Sequence, residues 1–119
     1  MAILVVDDSK AMRMIVRRTL RMAGFHNEVT EVCSGTEALQ TLQNSNYELI
    51  LCDWNMPEMT GIDFLRKLRG DGRSDRLGFV TSESSDDARA SAKEAGALFL
   101  ISKPFTPEAF RATLGPILG

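Results

Sequence analysis

Three short apolar runs in this chain each lead into a charged residue, and that pattern restricts the folds open to it. Ile3-Leu4-Val5-Val6 runs into Asp7-Asp8, and Leu49-Ile50-Leu51-Cys52 into Asp53. Leu98-Phe99-Leu100-Ile101 reaches Lys103 after a single serine. Near-continuous apolar runs of this length suit strands covered on both faces. A carboxylate at the end of such a strand is costly to bury unless something compensates it. In an open α/β sheet, the C-terminal edge of the strands is where ligands bind. Three acids and one lysine gathered there suit a divalent cation and a phosphoryl group.

The intervening segments have helical periodicity. Residues 10–23 place Met12, Ile15, Val16, Leu20 and Ala23 on an inward stripe, and Gly24 is placed to stop that helix. Residues 29–33 predict a second strand, and 35–43 a short helix with Ala38, Leu39 and Leu42 inward. After Asn55-Met56-Pro57 and Gly61, a helix over 62–69 carries Ile62, Leu65 and Leu68. The glycines and charges of 70–76 predict a loop. Residues 77–81 form the expected fourth strand, weakened by Gly78, and 98–102 the fifth. Ser84 or Ser85 can cap a helix whose first turn holds Asp86 and Asp87 and which ends near Gly96. Thr106-Pro107-Glu108 opens a last helix with Phe110, Leu114 and Ile117 on one face, fraying at Gly115-Pro116.

Five strands alternating with five helices predict an α/β fold, a parallel sheet with helices on both faces. A length of 119 residues fits one domain, residues 1–119, with no repeat, no linker and no output domain in this chain. The net charge of −2 exerts no bulk pull on nucleic acid or anionic membrane. No apolar run approaches the roughly 18 residues of a transmembrane helix, so membrane insertion is not expected. The N-terminus lacks a basic region and a cleavage site and reads as a strand rather than a signal peptide. Cys33 and Cys52 lack metal-type spacing and both fall in apolar contexts. Both are expected as small buried hydrophobes in a reducing compartment, which points to the cytoplasm. His26, without cysteine or histidine companions, is a poor ligand candidate.

With these elements placed, the chain resembles the receiver domains of two-component response regulators, close to the single-domain, CheY-like type. The resemblance rests on Val6-Asp7-Asp8-Ser9, on Leu51-Cys52-Asp53-Trp54-Asn55-Met56-Pro57 continuing to Gly61, on Val80-Thr81-Ser82-Glu83, and on Lys103-Pro104-Phe105. Each is weak alone; all four in order, each at a strand end, are specific. The resemblance covers the whole chain. It implies a flavodoxin-like, doubly wound (βα)5 sheet with strand order 2-1-3-4-5.

The same resemblance assigns roles. Asp53 accepts a phosphoryl group from a phosphohistidine on a histidine kinase or a histidine phosphotransfer protein. Asp8 and Asp53 ligate Mg²⁺ directly, Asp7 mostly through water, and Asn55 through its backbone carbonyl. Lys103 neutralises charge on the transferring oxygens, and Thr81 donates its hydroxyl to the phosphoryl group once Asp53 is modified. Asn55 and Glu83 line the path of the attacking water and tune dephosphorylation; with Ser82 small, a short-lived phosphoryl state is expected. The chain is then a signalling switch with self-phosphorylation and self-dephosphorylation activity, not a metabolic enzyme. A Lys103-Pro104 cis peptide is a candidate feature, since X–Pro bonds tolerate cis. Trp54 is expected half-exposed at the site mouth, as a fluorescence reporter.

Bland readings remain for each residue taken singly. Asp7-Asp8 can end a strand and cap the helix near Lys10; Asp53 can be a turn acid, Lys103 a surface lysine, and Thr81 an ordinary strand residue. Joint occurrence favours the chemistry. Lys10, Arg13, Arg17, Arg18 and Arg21 on the first helix resemble a docking face for the phosphodonor, or form a solvated face. No aromatics interleave with them, so nucleic-acid binding by this chain is not expected. A monomer with a downstream protein target is expected.

One departure matters. Receivers carry Tyr or Phe three residues before the lysine; here that position is Leu100, and alternation points the neighbouring Phe99 to the opposite face. The switch coupling to Thr81 is therefore built differently, which favours a phosphate shuttle or sink as the alternative role. A Mg²⁺-dependent aspartyl phosphatase is disfavoured because Asn55 stands where such enzymes place a second acid. An interaction module independent of phosphorylation ranks last, since all the site residues are present.

Overall fold

The computed structural model describes residues 2–118; Met1 and Gly119 of the expected 1–119 domain lie outside the described residues. Strands and helices alternate as β1 (Ala2–Val6), α1 (Lys10–Met22), β2 (Glu28–Val32), α2 (Gly35–Asn44), β3 (Leu49–Cys52), α3 (Gly61–Gly70), β4 (Leu77–Thr81), α4 (Asp86–Ala95), β5 (Leu100–Ser102) and α5 (Pro107–Leu118). Every strand pair is parallel, in the order β2-β1-β3-β4-β5, the flavodoxin-like order that the resemblance implied. β3 and β4 are buried throughout their length, and β1 is buried from Ile3 on.

Alternation along the strands divides the core into two layers. Leu4, Val6, Ile50, Cys52 and Phe79 pack against α2 and α3 through Ala38, Leu42, Phe64, Leu65 and Leu68, with Ala92 of α4. Ile3, Val5, Leu49, Leu51 and Val80 pack against Val16 and Leu20 of α1 and Phe110 and Leu114 of α5. The sheet is therefore packed on both faces beneath its C-terminal edge, where the charges lie.

Local chemistry sets the helix ends. Ser9, Ser34, Thr60 and Ser85 each accept a hydrogen bond from the backbone N–H three residues on. Such caps contribute about 1 kcal/mol each. α1 closes as Gly24 predicted: the Phe25 N–H bonds the Leu20 carbonyl at 2.9 Å and the Gly24 N–H bonds that of Arg21 at 3.0 Å.

Several expectations need correction. β2 lies one residue earlier than 29–33, and Cys33 is exposed rather than buried. The cause is the α2 cap: the Glu37 carboxylate reaches back to accept from the Cys33 backbone N–H and from its thiol, drawing Cys33 into the turn. β5 begins at Leu100 instead of residue 98, and Leu98 is exposed, although its N–H already bonds the Leu77 carbonyl. Ile15 is 46% exposed; the buried stripe of α1 is Val16, Thr19, Leu20 and Ala23, and Ile15 lies about a quarter turn away. Thr19 is buried without penalty because its hydroxyl donates to the Ile15 carbonyl. α5 does not fray at Gly115-Pro116 but continues to Leu118. Ile117 and Leu118 pack on the α1/α5 layer, and Arg76 donates to the Ile117 carbonyl. Among the described residues, no helix is long and apolar enough to cross a membrane.

Candidate functional site

Strand register assembles the site. Val6 pairs with Cys52 across β1 and β3, so Asp7 and Asp53 emerge side by side. The ladder continues one residue past the strands: the Asp53 N–H bonds the Val6 carbonyl, the Asp7 N–H that of Val32, and the Lys103 N–H that of Thr81. The backbones of Asp7, Asp53, Thr81 and Lys103 are thus held by the sheet itself. One carboxylate oxygen from each of Asp7, Asp8 and Asp53 lies within 4.8 Å of the others. Asp7 and Asp53 are buried, whereas Asp8 is exposed.

Each buried carboxylate has one oxygen committed to the backbone and one free to face its neighbours. Asp53 Oδ1 accepts from the Trp54 N–H at 2.7 Å, and Asp7 Oδ1 from the Ser9 N–H at 2.9 Å. Both Oδ2 atoms face Lys103, whose Nζ stands 3.5 Å from each. One ammonium does not balance three carboxylates. Burial pushes the Asp7 carboxyl above its ordinary pKa, and the negative charges of Asp53 and Asp8 add to this; the Ser9 N–H and Lys103 oppose it. Burial, reinforced by Asp53 and Asp7, also raises the Cys52 thiol, which stays protonated and donates to the Asp53 carbonyl. A hard, all-oxygen donor set with excess negative charge fits a Mg²⁺-class cation.

The remaining predicted residues stand in β4 and β5 or on the segments that follow β3, β4 and β5. Thr81 is fully buried, and its hydroxyl oxygen accepts from the Glu83 N–H at 3.1 Å. Glu83 is half-buried, and Ser82 and Asn55 are exposed. The Lys103-Pro104 peptide is cis. Trp54 is half-buried against Phe79, with ring centroids 5.0 Å apart. Leu100 packs with the α2/α3/α4 layer while Phe99 packs on the other face, as alternation predicted.

Two arrangements were not visible in the sequence. Arg89 of α4 donates to the Leu100 carbonyl at 3.4 Å and to the Ser102 hydroxyl at 3.0 Å, tying α4 to β5 at Leu100. An arginine on an Ala-rich helix gives no hint of this. The expected basic face of α1 is also smaller than its sequence suggests. Arg13 and Arg17 both turn to Glu31 of β2, at 3.0 and 2.9 Å. Lys10, Arg18 and Arg21 remain exposed.

Residues 3–115 match the family model for the response regulator receiver domain. The chain is 41% identical to the chemotaxis protein CheY of Pseudomonas aeruginosa over 98% of its own length and 95% of that protein's. It is 38% identical to the chemotaxis protein CheY1 of Helicobacter pylori, over 100% of this chain and 98% of that one. The crystal structure of Vibrio cholerae chemotaxis protein CheY4 superposes with a TM-score of 0.84 at 35% identity, covering 98% of this chain and 97% of that one. The parallel five-stranded sheet and the strand-end acids agree with these matches. The chain belongs to the response regulator receiver domain family, the phosphorylation-dependent switches of two-component signalling.

Proposed function

We propose that Asp53 is the phosphoacceptor of this switch. The observation that carries the reading is the position of Lys103 Nζ, 3.5 Å from both Asp53 Oδ2 and Asp7 Oδ2. Asp53 Oδ2 is the carboxylate oxygen not held by the backbone, and so the one free to attack. It displaces the imidazole nitrogen of a phosphohistidine: the P–N bond breaks, an acyl phosphate forms on Asp53, and the imidazole leaves. Lys103 offsets charge on the transferring oxygens from a fixed position, without having to reorganise. Asp8 and Asp53, with Asp7 through water and the Asn55 carbonyl, would hold Mg²⁺. When bound, that ion supplies the charge neutralisation that one lysine cannot.

Thr81 then reports the modification. Its oxygen accepts from the Glu83 N–H, which leaves the hydroxyl proton free to donate to a phosphoryl oxygen. Drawing Thr81 toward Asp53 moves the β4–α4 loop, and with it the surface formed by α4, β5 and α5. Asn55 and Glu83 flank the route of hydrolytic water, and exposed Ser82 leaves that route open, so the phosphoryl group is short-lived.

The phosphodonor, a histidine kinase or histidine phosphotransfer protein, docks on α1. There exposed Lys10, Arg18 and Arg21 accompany exposed Met14, Ile15 and Met22. Residues 1–119 form one receiver domain that works in the cytoplasm as a monomer and passes its signal to a protein target; this domain itself is not proposed to bind nucleic acid or membrane. The chemotaxis names of its relatives point to that pathway. The shuttle or sink role is favoured by one observation: Leu100 replaces the aromatic, and Arg89 straps β5 at that residue.

Intact-mass measurement after adding acetyl phosphate and Mg²⁺, with Asp53→Asn in parallel, tests the reading. One phosphoryl adduct that requires metal and vanishes in the variant is expected, with a change in Trp54 fluorescence. No adduct overturns the phosphoacceptor assignment and leaves an interaction module. Turnover of a generic aryl phosphate would instead establish the phosphatase.

A further inference from the structure

Arg13 touches the acidic turn without contributing a carboxylate to it. Its side chain is only 14% exposed. Nη1 donates to the Asp7 carbonyl at 2.6 Å, and Nε to Glu31 Oε1 at 3.0 Å. That carbonyl belongs to the peptide joining Asp7 to Asp8. The rest of the turn is fixed independently, because the Asp7 N–H bonds Val32 and Asp7 Oδ1 bonds the Ser9 N–H. The orientation of the Asp7-Asp8 peptide, and so the direction in which exposed Asp8 points, depends on Arg13. A bare guanidinium here would also repel a cation. Glu31, shared with Arg17 at 2.9 Å, offsets that charge.

We propose that Arg13 is a positioning residue for the cation: it aims Asp8 through the Asp7 carbonyl, while Glu31 masks its charge. The inference rests on the reading of Asp7, Asp8 and Asp53 as the Mg²⁺ site. It makes a prediction opposite in sign to simple electrostatics. Removing a positive charge beside three carboxylates should tighten Mg²⁺ binding if charge alone matters. Removing a support that orients a ligand should weaken it, by about tenfold.

The test is Mg²⁺ titration followed by Trp54 fluorescence, without phosphodonor, for wild type, Arg13→Met, Arg13→Lys and Glu31→Gln. Arg17 still pairs Glu31 in Arg13→Met, so no carboxylate is orphaned. Arg13→Met is expected to bind about tenfold more weakly at every ionic strength. Arg13→Lys keeps the charge but cannot span both partners, and is expected to bind more weakly than wild type. Glu31→Gln keeps the Asp7 contact but unmasks the charge, so its loss should shrink as salt is added. Unchanged or tighter binding in Arg13→Met overturns the proposal. Should that variant fail to fold, Arg13→Lys decides, and wild-type affinity there overturns it. A wild-type protein blind to Mg²⁺ overturns the metal reading and this inference together, which distinguishes the two failures.

Discussion

Gly61 lies against Asp53 so closely that a methyl group on its Cα would strike the Asp53 carbonyl oxygen and press on the Phe79 ring. The first residue of α3 therefore sets the position of the proposed phosphoacceptor. Its N–H also closes the loop by bonding the Trp54 carbonyl at 2.8 Å. Neither neighbour can yield easily, since one is backbone and the other is a fully buried ring. Gly61→Ala is expected to cost about 1–3 kcal/mol, read as a lower urea midpoint with an unchanged slope. The same variant should phosphorylate more slowly, because Asp53 moves relative to Lys103. Wild-type stability and rate together would show that the loop absorbs the methyl group without disturbing Asp53.

Glu58, in the same loop, has a φ of 69°, and the Met59 N–H bonds the Pro57 carbonyl at 2.8 Å across it, a tight γ-turn that strains any residue with a side chain. Its side chain is exposed, so little packing is lost on replacement. Glu58→Gly should stabilise the protein by about 0.5–1 kcal/mol, with Glu58→Asn gaining somewhat less. Thermal melts of both variants check this. A fall in melting temperature for Glu58→Gly would mean that the extra freedom of glycine in the unfolded chain outweighs the strain relieved.

Central strands and the charges at their ends were legible because both are properties of one residue and its immediate neighbours. An apolar run followed by Asp7 or Asp53 reads as a buried strand, and the joint occurrence of such runs with Lys103 marks a ligand edge. Parallel register then brings the acids together without further information. What could not be read is which long polar side chain finds which distant partner. Arg13, Arg17 and Arg89 have the spacing of a solvated helix face, yet they turn to Glu31, the Asp7 carbonyl and Ser102. Cys33 extends the β2 pattern, but a carboxylate four residues on draws it out of the strand. Ile15 fits a helical stripe about as well as Thr19 does until the sheet fixes which stripe is inward.

Gly78 belongs to the same lesson and yields a prediction. In sequence it weakens a strand; in the fold the Phe99 ring occupies the space where its side chain would stand. Gly78→Ala alone is expected to destabilise by about 1–3 kcal/mol through overpacking. Phe99→Ala alone should cost about 2 kcal/mol in lost burial. The double variant should cost less than the two added together, because the collision disappears with the ring. A double-mutant cycle in urea should give a coupling of about 1 kcal/mol or more. Strict additivity would mean that the ring swings aside freely and that the glycine is incidental.

Asp7 supplies the pH-dependent prediction. Its carboxyl is raised chiefly by burial and further by Asp53. An acid with a raised native pKa binds protons more tightly folded than unfolded. Its stabilising contribution is present at pH below the ordinary aspartate pKa and is lost as pH rises through the higher native value. At pH above that native value, without divalent cation, charged Asp7 therefore works against folding. Asp7→Asn retains the shape and an acceptor for the Ser9 N–H, so it should be more stable than wild type at pH 7 in EDTA, by about 1 kcal/mol. The difference should close as pH falls below the ordinary carboxylate range, where wild-type Asp7 is neutral in both states. Added Mg²⁺ should stabilise wild type more than the variant and narrow the gap at pH 7. Denaturation midpoints for both proteins across this range, with EDTA and with Mg²⁺, measure all three effects. A gap that stays constant with pH would show that the stabilisation comes from packing rather than from a buried charge awaiting its cation.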